Sequence, residues 1–70
     1  MKYVIIIEQA APDSFCVHSP DIDCCFSTGN SVEDAVKGFK QAVRRYLKDL
    51  RARGEEPPQP VTMVDTIEVA

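Results

Sequence analysis

The sequence predicts an α+β fold in which a three-stranded antiparallel meander is followed by one long helix and a final strand. Short β-branched segments separated by turn residues fill residues 2–28, a pattern typical of neighbouring antiparallel strands. An apolar stripe with spacings of three and four then covers residues 32–50. The last residues return to an alternation of period two. With 70 residues, 44% of them apolar, the chain is predicted to be a single globular domain, 1–70.

The first strand is predicted over residues 2–8, where β-branched residues dominate and Glu8 closes the run. Both faces of this strand are apolar, one with Tyr3, Ile5 and Ile7 and the other with Val4 and Ile6. A strand that is apolar on both faces is central in its sheet or covered on both sides. Because one helix covers only one face of a sheet, we expect another subunit or a partner to cover the second.

Two more short strands are predicted before the helix. Residues 10–14 form a turn around Pro12, and Phe15–Ser19 form the second strand. Residues 20–23 are predicted to be a loop, because proline and aspartate favour turns. Residues 24–28 form the third strand, which Gly29 ends. These spacings suit an antiparallel meander.

The helix is predicted from residue 32 to about residue 53. Ser31 is a suitable N-cap, and the carboxylates of Glu33 and Asp34 fall in the first turn, where the helix dipole favours them. Gly54 is placed to end the helix. The apolar stripe consists of Val32, Ala35, Val36, Phe39, Val43, Tyr46, Leu47 and Leu50.

The segment after the helix is predicted to be a stiff connector followed by a strand. Residues 55–60 contain three prolines, which favour an extended chain. In the last segment the apolar Val61, Met63, Ile67 and Val69 alternate with Thr62, Thr66 and Glu68. This period of two predicts the final strand.

The charge balance favours a protein partner over nucleic acid. The formal net charge is −3 and the isoelectric point is about 4.9. Nucleic-acid-binding domains usually carry a clustered positive surface, whereas a mildly acidic domain complements a basic protein. No segment is long and apolar enough to predict a membrane span or a signal peptide. The three cysteines are an odd number, and with no export signal we expect reduced thiols in the cytoplasm.

No catalytic, metal or cofactor site is predicted. Cys16, His18, Cys24 and Cys25 are the possible zinc ligands, but neighbouring strand residues point to opposite faces, so two of the four would have to diverge. His18 is the sole histidine, and no oxyanion hole accompanies it. Asp21 and Asp23 are explained as turn-forming residues. We therefore expect that the protein is not an enzyme, with metal binding or thiol redox chemistry as the remaining alternative.

The order of these segments resembles the HicB-like antitoxin domain, the antitoxin half of HicA–HicB toxin–antitoxin systems. The resemblance covers nearly all 70 residues. Residues 19–25, Ser-Pro-Asp-Ile-Asp-Cys-Cys, are similar to the family's Pro-Asp-Leu-Pro-Gly-Cys turn. Phe26-Ser27-Thr28-Gly29 and the helix start around Glu33-Asp34-Ala35 follow in the family's order, as do the connector and the closing Thr66–Val69 segment.

The resemblance implies a β-β-β-α-β fold, described for the family as a degraded ribonuclease-H-like core, in a homodimer or homotetramer. It also implies that the domain binds and neutralises HicA, a small basic toxin that cleaves mRNA, by covering its active surface. The contact with this partner is predicted at Asp21, Ile22, Asp23 and Phe26. The alternative is an orphan homo-oligomer with a regulatory or structural role and no cognate toxin.

The sequence departs from the family pattern in two places. Asp23-Cys24 stands where the family has Pro-Gly before its cysteine, so the turn is expected to differ. Many full antitoxins continue into a helix-turn-helix or ribbon-helix-helix domain that binds the operator. This chain stops at Ala70, so direct binding of nucleic acid is not expected of it.

Overall fold

The structure, a computed structural model, describes residues 1–70. Three strands form one antiparallel sheet in the order β1-β2-β3, and a single helix follows. The elements are β1 (Ile6–Ala11), β2 (Ser14–Ser19), β3 (Ile22–Gly29) and α1 (Val32–Ala52). The predicted α+β class and the meander followed by a long helix are confirmed. The chain has no helix with the length and apolar character that a membrane span requires.

The strand boundaries differ from the predicted ones at both ends of β1 and at the start of β3. β1 continues past Glu8, its predicted end, to Ala11, so only residues 12 and 13 of the turn predicted over 10–14 lie outside the strands. β1 begins at Ile6 rather than residue 2, because β2 supplies its last partner at His18, opposite Ile6. β3 begins at Ile22, so the second half of the loop predicted over residues 20–23 is wrong. Ile22 pairs with Ser19 and is only 1% exposed. Burial of this side chain outweighs the preference of the flanking aspartates for a turn.

Both ends of α1 are capped as the sequence predicts. The Ser31 hydroxyl oxygen accepts a hydrogen bond from the Asp34 N–H at 3.1 Å. At the other end Gly54 adopts a positive φ of 72°. The Glu55 N–H donates to the Leu50 carbonyl at 2.9 Å, and the Gly54 N–H donates to the Arg51 carbonyl at 3.1 Å. This is the Schellman pattern, which turns the chain back toward the sheet.

The core lies between α1 and the inner face of β2 and β3. Its fully or nearly buried members are Val17, Ile22, Cys25, Ala35 and Phe39. Most of the predicted helix stripe is buried or half-buried, whereas Val32 is 42% exposed.

α1 approaches β3 closely because two glycines leave room. A Cβ on Gly29 would lie 2.7 Å from the backbone nitrogen of Ala35, and a Cβ on Gly38 would lie 2.8 Å from the Ser27 hydroxyl. That hydroxyl donates to the Ala35 carbonyl at 2.7 Å and ties the strand to the helix.

β1 is covered far less than the other strands. α1 lies over β3 and, to a smaller extent, over β2. Ile5, Ile6 and Ile7 are consequently 37%, 37% and 41% exposed, although they are the most apolar run of the chain. The outer edge of β1 is also free, because β2 is its sole neighbour in the sheet.

Residues 61–70, hereafter the arm, form no regular element, so the predicted final strand is not present in the single chain. No backbone group of the arm is hydrogen-bonded to another backbone group. The molecule measures 47 × 28 × 15 Å and has a radius of gyration of 13.8 Å. A compact chain of this length is expected to have a radius of gyration of about 11 Å. The arm therefore extends the molecule instead of completing its sheet.

Candidate functional site

The sheet face opposite α1 is uncovered and is the first candidate surface. Val17 points to α1, so its neighbours along β2 point the other way. The register then places Ile6, His18 and Phe26 side by side across the three strands. This open face consists of Ile6, Glu8, Cys16, His18, Phe26 and Thr28.

Phe26 is the most prominent apolar group of the open face. Its side chain is 73% exposed on the edge strand β3. Glu8 Oε1 lies 3.3 Å from His18 Nε2, which places a carboxylate on the same face as Ile6 and Phe26. Asp23 is also exposed, near the start of β3, and its charge acts on Tyr46 of α1. An exposed aromatic group with polar groups around it is typical of a surface that binds another protein.

The structure separates the four residues predicted to contact a partner. Asp23 and Phe26 are exposed and available to another molecule. Ile22 is buried in the core and presents no surface. The half-buried Asp21 has an internal partner, since its carboxylate accepts hydrogen bonds from the Thr62 N–H at 3.2 Å and the Thr62 hydroxyl at 2.8 Å.

The three thiols lie in different surroundings. Cys16 is half-buried, Cys24 is exposed, and Cys25 is buried against α1. Burial raises the pKa of the Cys25 thiol to about 11, and the neighbouring Cys24 adds to this shift. A hydrogen bond with Cys24 is the main cause that raises the pKa of the Tyr46 hydroxyl. No three histidine, cysteine or acidic side chains converge to hold a metal ion.

The single histidine is paired with a carboxylate rather than with a thiol. His18 Nε2 has Glu8 as its hydrogen-bond partner, and no hydrogen bond joins it to Cys16 on the same face. A cysteine nucleophile needs a base within hydrogen-bond reach. The arrangement gives Cys16 no such base.

A groove between the N-terminal residues and α1 is a second candidate surface. Its volume is about 340 Å³. Apolar side chains line it, among them Tyr3, Ile5 and Val43, and the basic Lys40 and Arg44 contribute to its wall. The groove was not predictable from the sequence, because its shape depends on how far α1 is displaced from β1. The doubly apolar first strand was the signal that β1 needs more cover than one helix gives.

Comparison with known proteins places the chain in a family. The family model described as "HicB_like antitoxin of bacterial toxin-antitoxin system" matches residues 3–69. A UPF0150 protein of Thermoplasma acidophilum is 30% identical over 59 residues, which cover 84% of this chain and 86% of that protein. An uncharacterized 14.9 kDa protein of Haemophilus phage HP1 is 32% identical over 59 residues, 84% of this chain and 44% of the phage protein. No solved structure matches the chain.

Proposed function

The chain belongs to the HicB-like antitoxin family of bacterial toxin–antitoxin systems, and from this we propose that it binds and neutralises a small basic toxin of the HicA type. The toxin is expected to cleave mRNA, so the complex would form in the cytoplasm. Neutralisation requires no catalysis by this chain, because a bound protein that covers the toxin's active surface keeps RNA out. The proposal includes a homodimer or homotetramer and the β-β-β-α-β, ribonuclease-H-like arrangement that the family resemblance implies.

The exposure of Phe26 is the observation that supports the open face as the toxin-binding surface. Phe26 is 73% exposed in the isolated protein, so its burial by a partner would make the free energy of binding more favourable. Aromatic residues in the centre of an interface often dominate its binding energy. Asp23, three residues before Phe26 on β3, adds a negative charge near the start of the same strand, which favours a basic partner and accelerates encounter with one. We therefore propose that the toxin contacts Asp23 and the open face around Phe26.

Asp21 and Ile22 do not contact the toxin in this proposal but hold the neighbouring backbone in place. Ile22 fixes the start of β3 in the core, and Asp21 is held by Thr62. Together they fix the start of β3, where Asp23 lies. The proposal thus keeps the predicted region and changes the role of two of its four residues.

Nucleic acid is not part of the proposed direct contact. The net charge of −3 disfavours a polyanion, since phosphate binding depends on the release of counterions by clustered lysine and arginine. A basic protein is attracted by the same charge.

Binding to the HicA-type toxin of the source genome tests the proposal. We expect a stable complex in calorimetry and loss of the toxin's RNA cleavage when this protein is added. Phe26→Ala should weaken binding by about tenfold to a hundredfold, with Val32→Ala as the control for an exposed apolar side chain. Asp23→Lys should slow association, with Glu56→Lys as the control for an exposed acid elsewhere. A protein that neither binds nor neutralises the toxin would overturn the antitoxin proposal.

The alternative is an orphan homo-oligomer without a toxin. The exposed apolar side chains of β1, Ile6 and Ile7, favour it independently of Phe26. It predicts an oligomer in light scattering even where no toxin binds. A monomer that binds the toxin would exclude this alternative and leave the antitoxin role intact.

A further inference from the structure

The arm and the outer edge of β1 both lack a neighbouring strand in the single chain. The arm exposes five large apolar side chains, Val61, Met63, Val64, Ile67 and Val69, each at least 70% exposed. Its backbone groups are bonded to no other backbone group. A strand edge with free N–H and C=O groups is a ready template for an added strand, and β1 offers such an edge.

The side chains of the arm match the surroundings of β1. Met63, Ile67 and Val69 share one face of an extended arm, because they alternate with a period of two. Placed beside β1, this face would cover Ile5 and Ile7 and enter the groove below α1.

The charges match as well. Asp65 lies on the same face of the arm as Ile67, while the arm contains no lysine or arginine. The groove wall next to β1 carries Lys40 and Arg44, and no acidic side chain lines it. Acid on the arm and base on the groove wall favour one direction and register of docking.

The length of the arm fits β1 and the residues before it. An extended segment such as residues 61–70 spans roughly 33 Å at about 3.3 Å per residue. β1 has 6 residues, and residues 1–5 continue the same apolar edge beyond it. The arm is long enough to pair along all of β1.

The start of the arm favours exchange between two copies. The Tyr3 hydroxyl donates to the Pro58 carbonyl at 2.7 Å, and Asp21 holds Thr62. Residues 57, 58 and 60 are prolines, so the chain enters the arm through a stiff and tethered stem. A short hinge that resists folding back favours the exchange of an element between identical chains. In the single chain the arm does not return to its own β1.

We infer that the arm of one copy adds as a fourth strand to the β1 edge of a second copy, and that the exchange is reciprocal. A two-fold axis then pairs each arm with the other copy's β1 and closes the assembly as a dimer. The added strands cover Ile5, Ile6 and Ile7, which one chain leaves bare. This inference rests on the homo-oligomer part of the proposed function and names the surface that forms it.

Light scattering on the purified chain and its arm variants gives the first test. The unmodified protein should have at least twice the 7.8 kDa mass of one chain. Ile67→Lys should raise the dimer dissociation constant at least about tenfold, since it removes the buried apolar contact. Thr66→Lys makes the same charge change on the opposite face and should leave the dimer intact. Ile67 is 87% exposed in the single chain, so the variant should keep the α1 signal in circular dichroism.

A charge exchange tests the register. Asp65→Lys should weaken the dimer, and the added substitution Lys40→Glu should restore it, because the pair is re-formed with its signs reversed. Lys40 is exposed, so its substitution should leave the fold unchanged. If Lys40→Glu fails to restore the Asp65→Lys dimer, Asp65 does not lie against this groove, and the stated docking is wrong.

Isotope-filtered NMR on a mixture of labelled and unlabelled protein separates exchange from the other possibilities. Contacts from Ile67 and Val69 methyl groups to Ile5 and Ile7 of another chain support the inference. A dimer without these intermolecular contacts overturns arm exchange and leaves the proposed homo-oligomer standing. A monomer with the same contacts inside one chain overturns both, and toxin binding is tested independently through Phe26.

Discussion

The two halves of this molecule differ in how completely their apolar side chains are buried and their backbone groups are hydrogen-bonded. On one side β3 and α1 are in tight contact, with Phe39 buried to 3% exposure and Ser27 bonded to the helix backbone. On the other side Ile5, just before β1, and Ile6 and Ile7 within it are 37–41% exposed, and the arm extends without a backbone partner. The apolar side chains are similar in kind. Their surroundings decide whether they stabilise the monomer or favour association.

In this 70-residue chain, one half packs its apolar side chains and the other half leaves them exposed. Chains of this size bury only about 60% of the surface that they expose when unfolded. The β3–α1 half provides the stability of the monomer. The β1–arm half keeps apolar surface exposed, and the proposed pairing of two copies would bury it.

The largest effect is expected from Phe39→Ala in the closed half. Phe39 is 3% exposed and belongs to the core cluster. Removal of its ring should lower the free energy of unfolding by about 3–5 kcal/mol, a large fraction of a small domain's stability. Urea denaturation followed by circular dichroism measures this loss, with Val32→Ala as the control in the same helix. An unchanged midpoint for Phe39→Ala would contradict the helix register.

Gly29→Ala should cause the next largest loss in the free energy of unfolding. Its new Cβ would meet backbone atoms of Ala35 at 2.7 and 3.0 Å, which cannot move away as a flexible side chain would. We expect a loss of about 1–3 kcal/mol, measured by the same denaturation. Thr28→Ala, on the neighbouring exposed residue of β3, should change stability far less. Equal effects of the two substitutions would show that α1 and β3 are not in close contact.

Ser27→Ala should have a smaller effect in the same place. It removes the 2.7 Å hydrogen bond to the Ala35 carbonyl without introducing a clash. The expected loss is about 1 kcal/mol. Hydrogen exchange should report faster opening of the first turns of α1. A gain in stability would mean that desolvation of the hydroxyl costs more than the bond contributes.

The smallest effect on the monomer is expected from Phe26→Ala in the open face. The same residue type as Phe39 is here 73% exposed, so its truncation should change the free energy of unfolding by less than about 0.5 kcal/mol. The same urea titration applies. A loss similar to that of Phe39→Ala would show that a second copy already covers Phe26 in solution.

The closed half was largely predictable from the sequence, and the open half was not. The helix was predicted over 32–53 and spans Val32–Ala52, because its periodicity, the Ser31 cap and Gly54 are all local signals. The final strand depends on a partner distant in the sequence or in another chain, so its alternation alone did not specify what it pairs with.

The candidate site shows the same limit. Asp23 and Phe26 were chosen by their place in a family-like turn, and both are exposed. Ile22 was included with them, although its side chain points into the core. β2 and β3 shift register between His18 and Ser19, and such a shift changes which face each residue occupies. The pattern of apolar and polar residues in the sequence did not predict this register shift.

Proteolysis of the arm offers a further measure of the proposed pairing between two copies. Proteases bind extended chain without internal hydrogen bonds, and exposed segments of this kind are cut first. The arm contains no lysine or arginine, so trypsin cannot cut within it, whereas proteinase K should degrade it in a free chain. Once the arm lies in a sheet its cleavage should slow. The rate of arm removal would then measure how much of the protein is unassembled, and a cell's proteases would act on the same difference.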